Sequence, residues 1–324
     1  MTSTTQAGVP PEAVAGEPQV QAPDSGVTAT LISDLRELFK VKVVALVLVT
    51  GWGGFYLGSI ESGITSVQRG LLDTLLGIGL VSAGAGALNE ALERKTDARM
   101  KRTAVRPMAA GRFSLAQGIL AGLGALALGA LWLLVRTNLL TVSLALLTAF
   151  TYVAIYTPLK RVTALATFIG AFPGAMGPLL GWTAARGRIE WPAVALFAIL
   201  FVWQFPHFMS IAWLYRDDYA KAGIRMLPVV QPDGWSTVAQ ALFFAVAMIP
   251  VSLAPWWLGV ASATYAVLAL VLGLLYLAYT LRFARILREP ESEGRKLARD
   301  LLKVSVLYLP LLFTSLMLCA AGTP

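Results

Sequence analysis

Three oxygen-bearing side chains, Asn89, Glu93 and Asp97, recur at every fourth position. On a helix turning about 100° per residue they share one arc roughly 80° wide and so face the same way. Oxygen donors in that register suit Mg2+, which is commonly held by one or two carboxylates together with substrate phosphates. Basic residues follow at once, namely Arg94, Lys95, Arg99, Lys101, Arg102 and Arg106. They could clamp a diphosphate from the other side. The competing reading is a solvated loop in which acids and bases merely pair. Against it, an Asn inside an apolar helix and carboxylates at its end are costly in a membrane without a partner, and these three stand in register.

Two further corners carry polar groups. The segment YTPLKR, Tyr156 to Arg161, ends an apolar run at a proline and presents Lys160 and Arg161 side by side. Alone, paired basics after a span are orientation signals. The stretch from Trp203 to Val230 holds the chain's one histidine, His207, and the adjacent acids Asp217 and Asp218. An ionisable group inside a span is a functional hypothesis by default, whereas a lone helical histidine can also be a satisfied core residue. For Asp217 and Asp218 the plainer role is pairing with Arg216 or Arg225. With one cysteine, Cys319, and one histidine, the chain has no disulfide framework, no cysteine-based zinc or iron-sulfur site and no multi-histidine metal centre.

The elements that must position these residues are membrane helices. Of 324 residues 57% are hydrophobic and only 14% charged, too apolar for an ordinary soluble enzyme. Uncharged runs cover 43–60, 74–89, 113–135, 137–159, 162–185, 191–215, 234–281 and 304–324. Most match one crossing of about 20 residues. The run 234–281 is too long, and Pro250 and Pro255 followed by Trp256, Trp257 and Gly259 predict a turn that divides it, giving nine spans. Every Lys and Arg except Arg69, Arg136, Arg186 and Arg188 then falls on one face, which predicts a cytoplasmic N-terminus and a C-terminus outside. The net charge of +8 is thus a topology signal, and nucleic acid is not an expected partner. Residues 1–30, with four prolines and no Lys or Arg, read as a disordered tail without the basic start of an export signal, and residues 31–324 as the membrane domain. Small residues at spacing four, such as Gly118 and Gly122, Gly170 and Gly174, and Gly177 and Gly181, predict close helix packing, and GIGLVSAGAG reads the same way. Pro173 and Pro178 predict a kink or break in the fifth span.

Taken in order, NxxxExxxD with MKRTAVRP, YTPLKR with IGAFPGAMGPLLGW, then WQFPHF and YRDDYAKAGIRMLPVV, resemble the motifs of the haem O synthases, a protoheme IX farnesyltransferase family among the UbiA-type intramembrane prenyltransferases. The resemblance spans roughly residues 35–320. It implies an all-α, polytopic bundle around a central cavity in the cell inner membrane. Asn89, Glu93 and Asp97 would be the catalytic metal-diphosphate motif with Mg2+ as cofactor. Arg102, Arg106, Tyr156, Lys160 and Arg161 would bind substrate. The implied reaction joins the farnesyl group of farnesyl diphosphate to a vinyl group of haem b, adds water, and yields haem O for haem-copper terminal oxidases. Relatives carry a second aspartate-rich motif after span 6. Counting back from Gly223, Tyr215 and Tyr219 hold the places of its acids, with Asp217 and Asp218 between them. Asp217 and Asp218 remain candidate catalytic residues and Tyr215 and Tyr219 candidate substrate contacts. The departure argues against a second Mg2+ held in the usual way and against a quinone or chlorophyll acceptor. His207 is the candidate for touching haem iron or propionate, or for handling a proton at the vinyl group. The lipid bilayer and a downstream haem A synthase are the candidate partners beyond the substrates.

Three other readings stand beside this one. A UbiA-type prenyltransferase could serve another acceptor. A secondary transporter would place its site near the bilayer midplane between repeats. A haem-binding assembly protein would not need oxygen ligands beside a basic clamp.

Overall fold

Lipid leaves no water for unpaired backbone groups, so apolar runs of this length fold as helices. The computed structural model describes residues 30–61 and 67–321; apart from Thr30, the tail expected to be disordered lies outside the described residues. The helices are α1 Leu31–Leu38, α2 Val41–Glu61, α3 Val67–Asp97, α4 Leu115–Arg136, α5 Leu139–Phe150, α6 Thr157–Leu159, α7 Ala166–Arg186, α8 Trp191–Leu214, α9 Arg216–Lys221, α10 Leu227–Val230, α11 Trp235–Trp257, α12 Ala263–Phe283 and α13 Glu291–Leu318. A π-helical turn, Thr151–Tyr156, joins α5 to α6.

Among the described residues, eight segments are long and apolar enough to cross a membrane. The ninth expected span is α7, which is 21 residues long but rich in Gly, Ala and Pro. Its hydropathy falls short because it faces protein: Ala171, Ala175 and Trp182 are fully buried. Neither proline pair breaks its helix. Pro173 and Pro178 lie inside an unbroken α7, and Pro250 and Pro255 lie inside α11. The dividing turn comes later, at Gly259, whose φ of +74° is left-handed. Prolines within a span are tolerated when neighbouring helices hold the backbone in place.

Glycines set the closest helix contacts. A Cβ added to Gly181 would sit 1.9 Å from the Gly51 carbonyl oxygen, and one on Gly54 would sit 2.0 Å from that of Pro178, so α2 and α7 touch backbone to backbone. Gly84 on α3 meets Gly122 on α4 in the same way, at 2.6 Å. GIGLVSAGAG is therefore a packing face. In the second half, α8, α11, α12 and α13 enclose an apolar core that includes Ile199, Met209, Met248, Tyr276 and Leu312. Trp203 donates from its indole to the Ser305 carbonyl at 2.8 Å, and Tyr276 donates to the Trp203 carbonyl at 3.0 Å, which locks α8, α12 and α13 together.

The bundle end remote from Asp97 is closed by ion pairs. Arg136 binds Asp73 across α4 and α3 at 2.9 Å. Glu190, between α7 and α8, accepts from Arg186, Arg188 and Trp182. The Arg186 hydrogen bond is the main cause that holds its carboxyl well below the ordinary 4.5, at about 2.

Two outcomes follow. Gly181→Ala should destabilise the bundle by about 2 kcal/mol or more, because backbone rather than a flexible side chain blocks the new methyl; a lowered thermal midpoint in detergent reads this out. Since Glu190 titrates lower when folded, its stabilisation is present above about pH 4.5 and is lost as pH falls toward 2. The midpoint difference between wild type and Glu190→Gln should therefore stay constant from pH 7 to about 5 and shrink below that.

Candidate functional site

The last turns of α3 place Asn89, Glu93 and Asp97 on a face that is almost sealed, with exposures of 1%, 3% and 2%. Buried carboxylates require paired charge or hydrogen bonds, and each finds a cation from a different part of the chain. Lys160, at the end of α6, pairs with Glu93. Arg106, in the loop after α3, pairs with Asp97 at 2.9 Å. Arg161 donates to Thr96 on the same face. Asn89 accepts from Lys40, between α1 and α2, and from the Tyr152 hydroxyl at 3.2 Å. Of the basics expected to bind substrate, Lys160 and Arg106 thus meet two of the three oxygen donors and Arg161 lies beside them on Thr96, whereas Arg102 goes elsewhere.

The π-helical turn makes part of this geometry. Its wider winding brings the Thr157 hydroxyl to the Tyr152 carbonyl at 2.8 Å, and Asn89 Nδ2 donates to that same hydroxyl at 2.8 Å. It also stacks Tyr152 on Tyr156, with ring centres 5.7 Å apart. Lys40 lies 5.8 Å from the first ring centre and Lys160 5.6 Å from the second. Gly170 leaves room for Tyr156, since an added Cβ would sit 2.6 Å from its ring.

The loop between α3 and α4 is held from two sides. Glu90, fully buried, accepts from the Met108 N–H at 3.2 Å, and Thr103 donates to the Asp97 carbonyl at 2.9 Å. From α1, Asp34 receives a two-pronged bond from Arg112, 2.8 Å on each oxygen. Burial pulls the Arg106 guanidinium down, but the Asp97 charge and hydrogen bond outweigh it and raise it above its ordinary value. Arg106 stays charged.

The other expected residues divide into two groups. Arg102 stacks over Tyr215 at 4.7 Å and over Tyr219 at 5.8 Å, and donates to the Tyr219 hydroxyl at 3.3 Å. Those three do come together. Asp217 is 63% exposed in its side chain and pairs loosely with Arg216 and Arg295, at 3.8 and 3.9 Å. For Asp217 the plainer pairing role is therefore the one observed, with Arg216 as expected and Arg295 in place of Arg225, whose backbone N–H instead donates to the Lys160 carbonyl; Asp218 makes no ion pair among the described residues. Asp217 and Asp218 line a cleft of ≈ 270 Å3 with Lys101, Tyr215, Lys221 and Arg295. The cations that pair with Asp217, Arg216 and Arg295, are not those that pair with Glu93 and Asp97, Lys160 and Arg106.

His207 packs against α13. Its Nδ1 lies 2.8 Å from the Ser305 hydroxyl and its ring stacks on Trp203 at 4.8 Å. Ser305 donates its one hydroxyl proton to the Leu302 carbonyl, at 2.6 Å. It must therefore accept from Nδ1–H, which leaves the lone pair of neutral His207 on Nε2.

The donor set suits a hard cation. Two carboxylates and an amide oxygen, all oxygen, sit buried in register on one helix face. Among the described residues no cluster of three His, Cys, Asp or Glu occurs; the third donor here is the amide of Asn89. Lys40, Tyr152, Thr157, Thr96 and Glu90 escaped the sequence reading. Tyr152 lies one turn before Tyr156, but its role depends on the π-helical winding, which no motif marks.

Comparison with known proteins identifies the family. The UbiA prenyltransferase family profile matches residues 46–307. The protoheme IX farnesyltransferase of Koribacter versatilis is 51% identical over 90% of this chain and 94% of its own length; that of Solibacter usitatus is 41% identical over 89% and 99%. Two solved structures share the fold at low identity. A digeranylgeranylglyceryl phosphate synthase gives a TM-score of 0.73 at 18% identity, covering 90% of this chain and 99% of that one. A UbiA homolog from Archaeoglobus fulgidus bound to GPP and Mg2+ gives 0.58 at 16%, covering 88% and 99%. With a family match across most of its length and near-full-length relatives of one kind, the chain belongs to the UbiA prenyltransferase family, in its protoheme IX farnesyltransferase branch.

Proposed function

We propose that this protein transfers the farnesyl group of farnesyl diphosphate to a vinyl group of haem b, with addition of water, to form haem O. The observation that carries the reading is the α3 face, where Asn89, Glu93 and Asp97 are buried together beneath Lys160, Arg161 and Arg106. The near-full-length likeness to protoheme IX farnesyltransferases supports the choice of acceptor. The basic end of the bundle faces the cytoplasm, by the distribution of Lys and Arg.

Asn89, Glu93 and Asp97 are the residues to hold Mg2+, and the bound ion would offset charge on the diphosphate. Breaking the allylic C–O bond sends its electron pair to the departing diphosphate. Lys160, Arg161, Arg106 and Arg102 stabilise that added charge more in the transition state than before it. The faces of Tyr152 and Tyr156 can favour the allylic cation beside them. Vinyl carbon attacks the cation, and the carbocation formed on the haem substituent takes up water and loses one proton. His207, with its free Nε2 lone pair, is the group to accept that proton or to ligate the iron. Tyr215 and Tyr219, stacked with Arg102, contact substrate at the rim, where Asp217 holds Arg216 and Arg295 and Asp218 lines the same cleft. A farnesyl chain has fifteen carbons, and at about 0.8 kcal/mol per CH2 its exposure to water would cost on the order of 10 kcal/mol, so a site reached from lipid is required. A downstream haem A synthase is the natural partner to receive so apolar a product.

Membranes that lack haem O and contain this chain should form farnesylated haem, seen by chromatography with mass detection, from haem b, farnesyl diphosphate and Mg2+, and should stop when the metal is chelated. A different prenylated acceptor from folded protein would keep the site and overturn the haem assignment. Asp97→Ala should lower kcat about 100-fold or more while the protein remains inserted and helical; near-normal turnover would sink the metal role.

A further inference from the structure

Lys40 belongs to none of the motifs, yet its placement is unusual. It is the one non-glycine residue with positive φ, +48°, among the described residues. Side-chain-bearing residues are held in that region where surrounding structure enforces it, and such positions cluster at functional sites. Its stem crosses α3 at Gly86, where an added Cβ would already meet the Lys40 Cγ and Cδ at 3.4 Å. Its ammonium ends on Asn89 Oδ1, 3.3 Å from the Tyr152 hydroxyl.

Hydrogen-bond directions around Asn89 then follow. Thr157 gives its only hydroxyl proton to the Tyr152 carbonyl, so it must accept from Asn89 Nδ2. Asn89 therefore turns Oδ1 toward Lys40 and Tyr152, and these two donors take both of its acceptor directions. A cation can bind that oxygen only by displacing one of them. Tyr152 is fixed by the π-helical turn and by stacking on Tyr156. Lys40 has a flexible four-carbon stem and is the donor able to leave.

Depth shows where it would go. Four cations face four α3 groups in a row: Lys40 on Asn89, Lys160 on Glu93, Arg161 on Thr96 and Arg106 on Asp97. Asn89 lies eight residues before Asp97, so Lys40 stands about 12 Å deeper along the helix. A prenyl diphosphate that enters this row chain-first turns its bridging oxygen, which gains charge as the C–O bond breaks, toward the deep end.

We propose that Lys40 is a further diphosphate-binding residue, whose ammonium passes from Asn89 Oδ1 to the phosphate nearest the allylic carbon and so frees that oxygen for a cation. This rests on the reading of the site as a prenyl diphosphate centre. No proton moves in the exchange; one charge-assisted hydrogen bond is traded for another.

The test uses the full chain in lipid nanodiscs, with Mn2+ binding read by electron paramagnetic resonance and inorganic diphosphate binding, in Mg2+, read by calorimetry. Lys40→Met should weaken diphosphate about tenfold or more while Mn2+ alone binds as tightly or more tightly, and Lys40→Arg should restore diphosphate to within about threefold. If Lys40→Met weakens Mn2+ and leaves diphosphate within about twofold of wild type, Lys40 merely orients Asn89 and the proposal falls. Should that variant fail to fold, Lys40→Gln carries the same expected loss and the same refutation. Absence of diphosphate binding by wild type would instead overturn the prenyl diphosphate reading itself.

Discussion

Two carboxylates buried at the end of a membrane helix are the constraint around which the rest is arranged. Glu93 and Asp97 are 3% and 2% exposed, and an unpaired charge at that depth would cost several kcal/mol. Each must be met by a cation that arrives from elsewhere, and the cations come from separate segments: Lys160 from the end of α6 and Arg106 from the loop after α3. The chain that carries them has to be held in turn. Glu90 and Asp34 do this for the loop, through Met108 and Arg112. Removing Glu93 would take the paired carboxylate from Lys160, and removing Asp97 would leave Arg106 only its longer contact with Glu37, at 3.8 Å, so local stability rests on both acids.

That arrangement needs helices closer together than ordinary side chains allow. Gly51, Gly54 and Gly181 bring α2 onto α7, and Gly84 and Gly122 bring α3 onto α4. With α3 and α7 so placed, the segment between α5 and α6 lies beside the acids, and its π-helical turn moves Tyr152 and Thr157 onto Asn89. Helices in lipid gain little from apolar contact alone, so van der Waals packing at small residues and interhelical hydrogen bonds must determine the assembly. Both are present here, and the closest glycine contacts lie in the first half of the bundle.

The second half is built differently. Its core is aromatic and aliphatic, tied by Trp203, Tyr276 and Ser305, with His207 seated on the same serine. A reaction that separates charge on a diphosphate and then joins carbon to carbon calls for both characters. It needs a charged rim where the leaving group departs and a dry interior where a reactive cation meets carbon before water. The single histidine belongs to the dry half, which suits a late proton or an iron ligand rather than the leaving group.

Hydropathy and charge determined much of this protein without any tertiary information: the all-helical class, the helices' approximate limits, and the basic end, because lipid imposes length and polarity on each span separately. The register of Asn89, Glu93 and Asp97 was legible for a similar reason, since helix periodicity alone places them on one face. Only the tertiary structure decided which cation meets which acid. It brought in Lys40 across 49 residues and Tyr152 across 63, continued α7 and α11 through their prolines, and left Asp217 at the surface with Arg295. Such pairings depend on how closely helices approach and on one turn of π-helix, and neither quantity is encoded in the periodicity of a single segment.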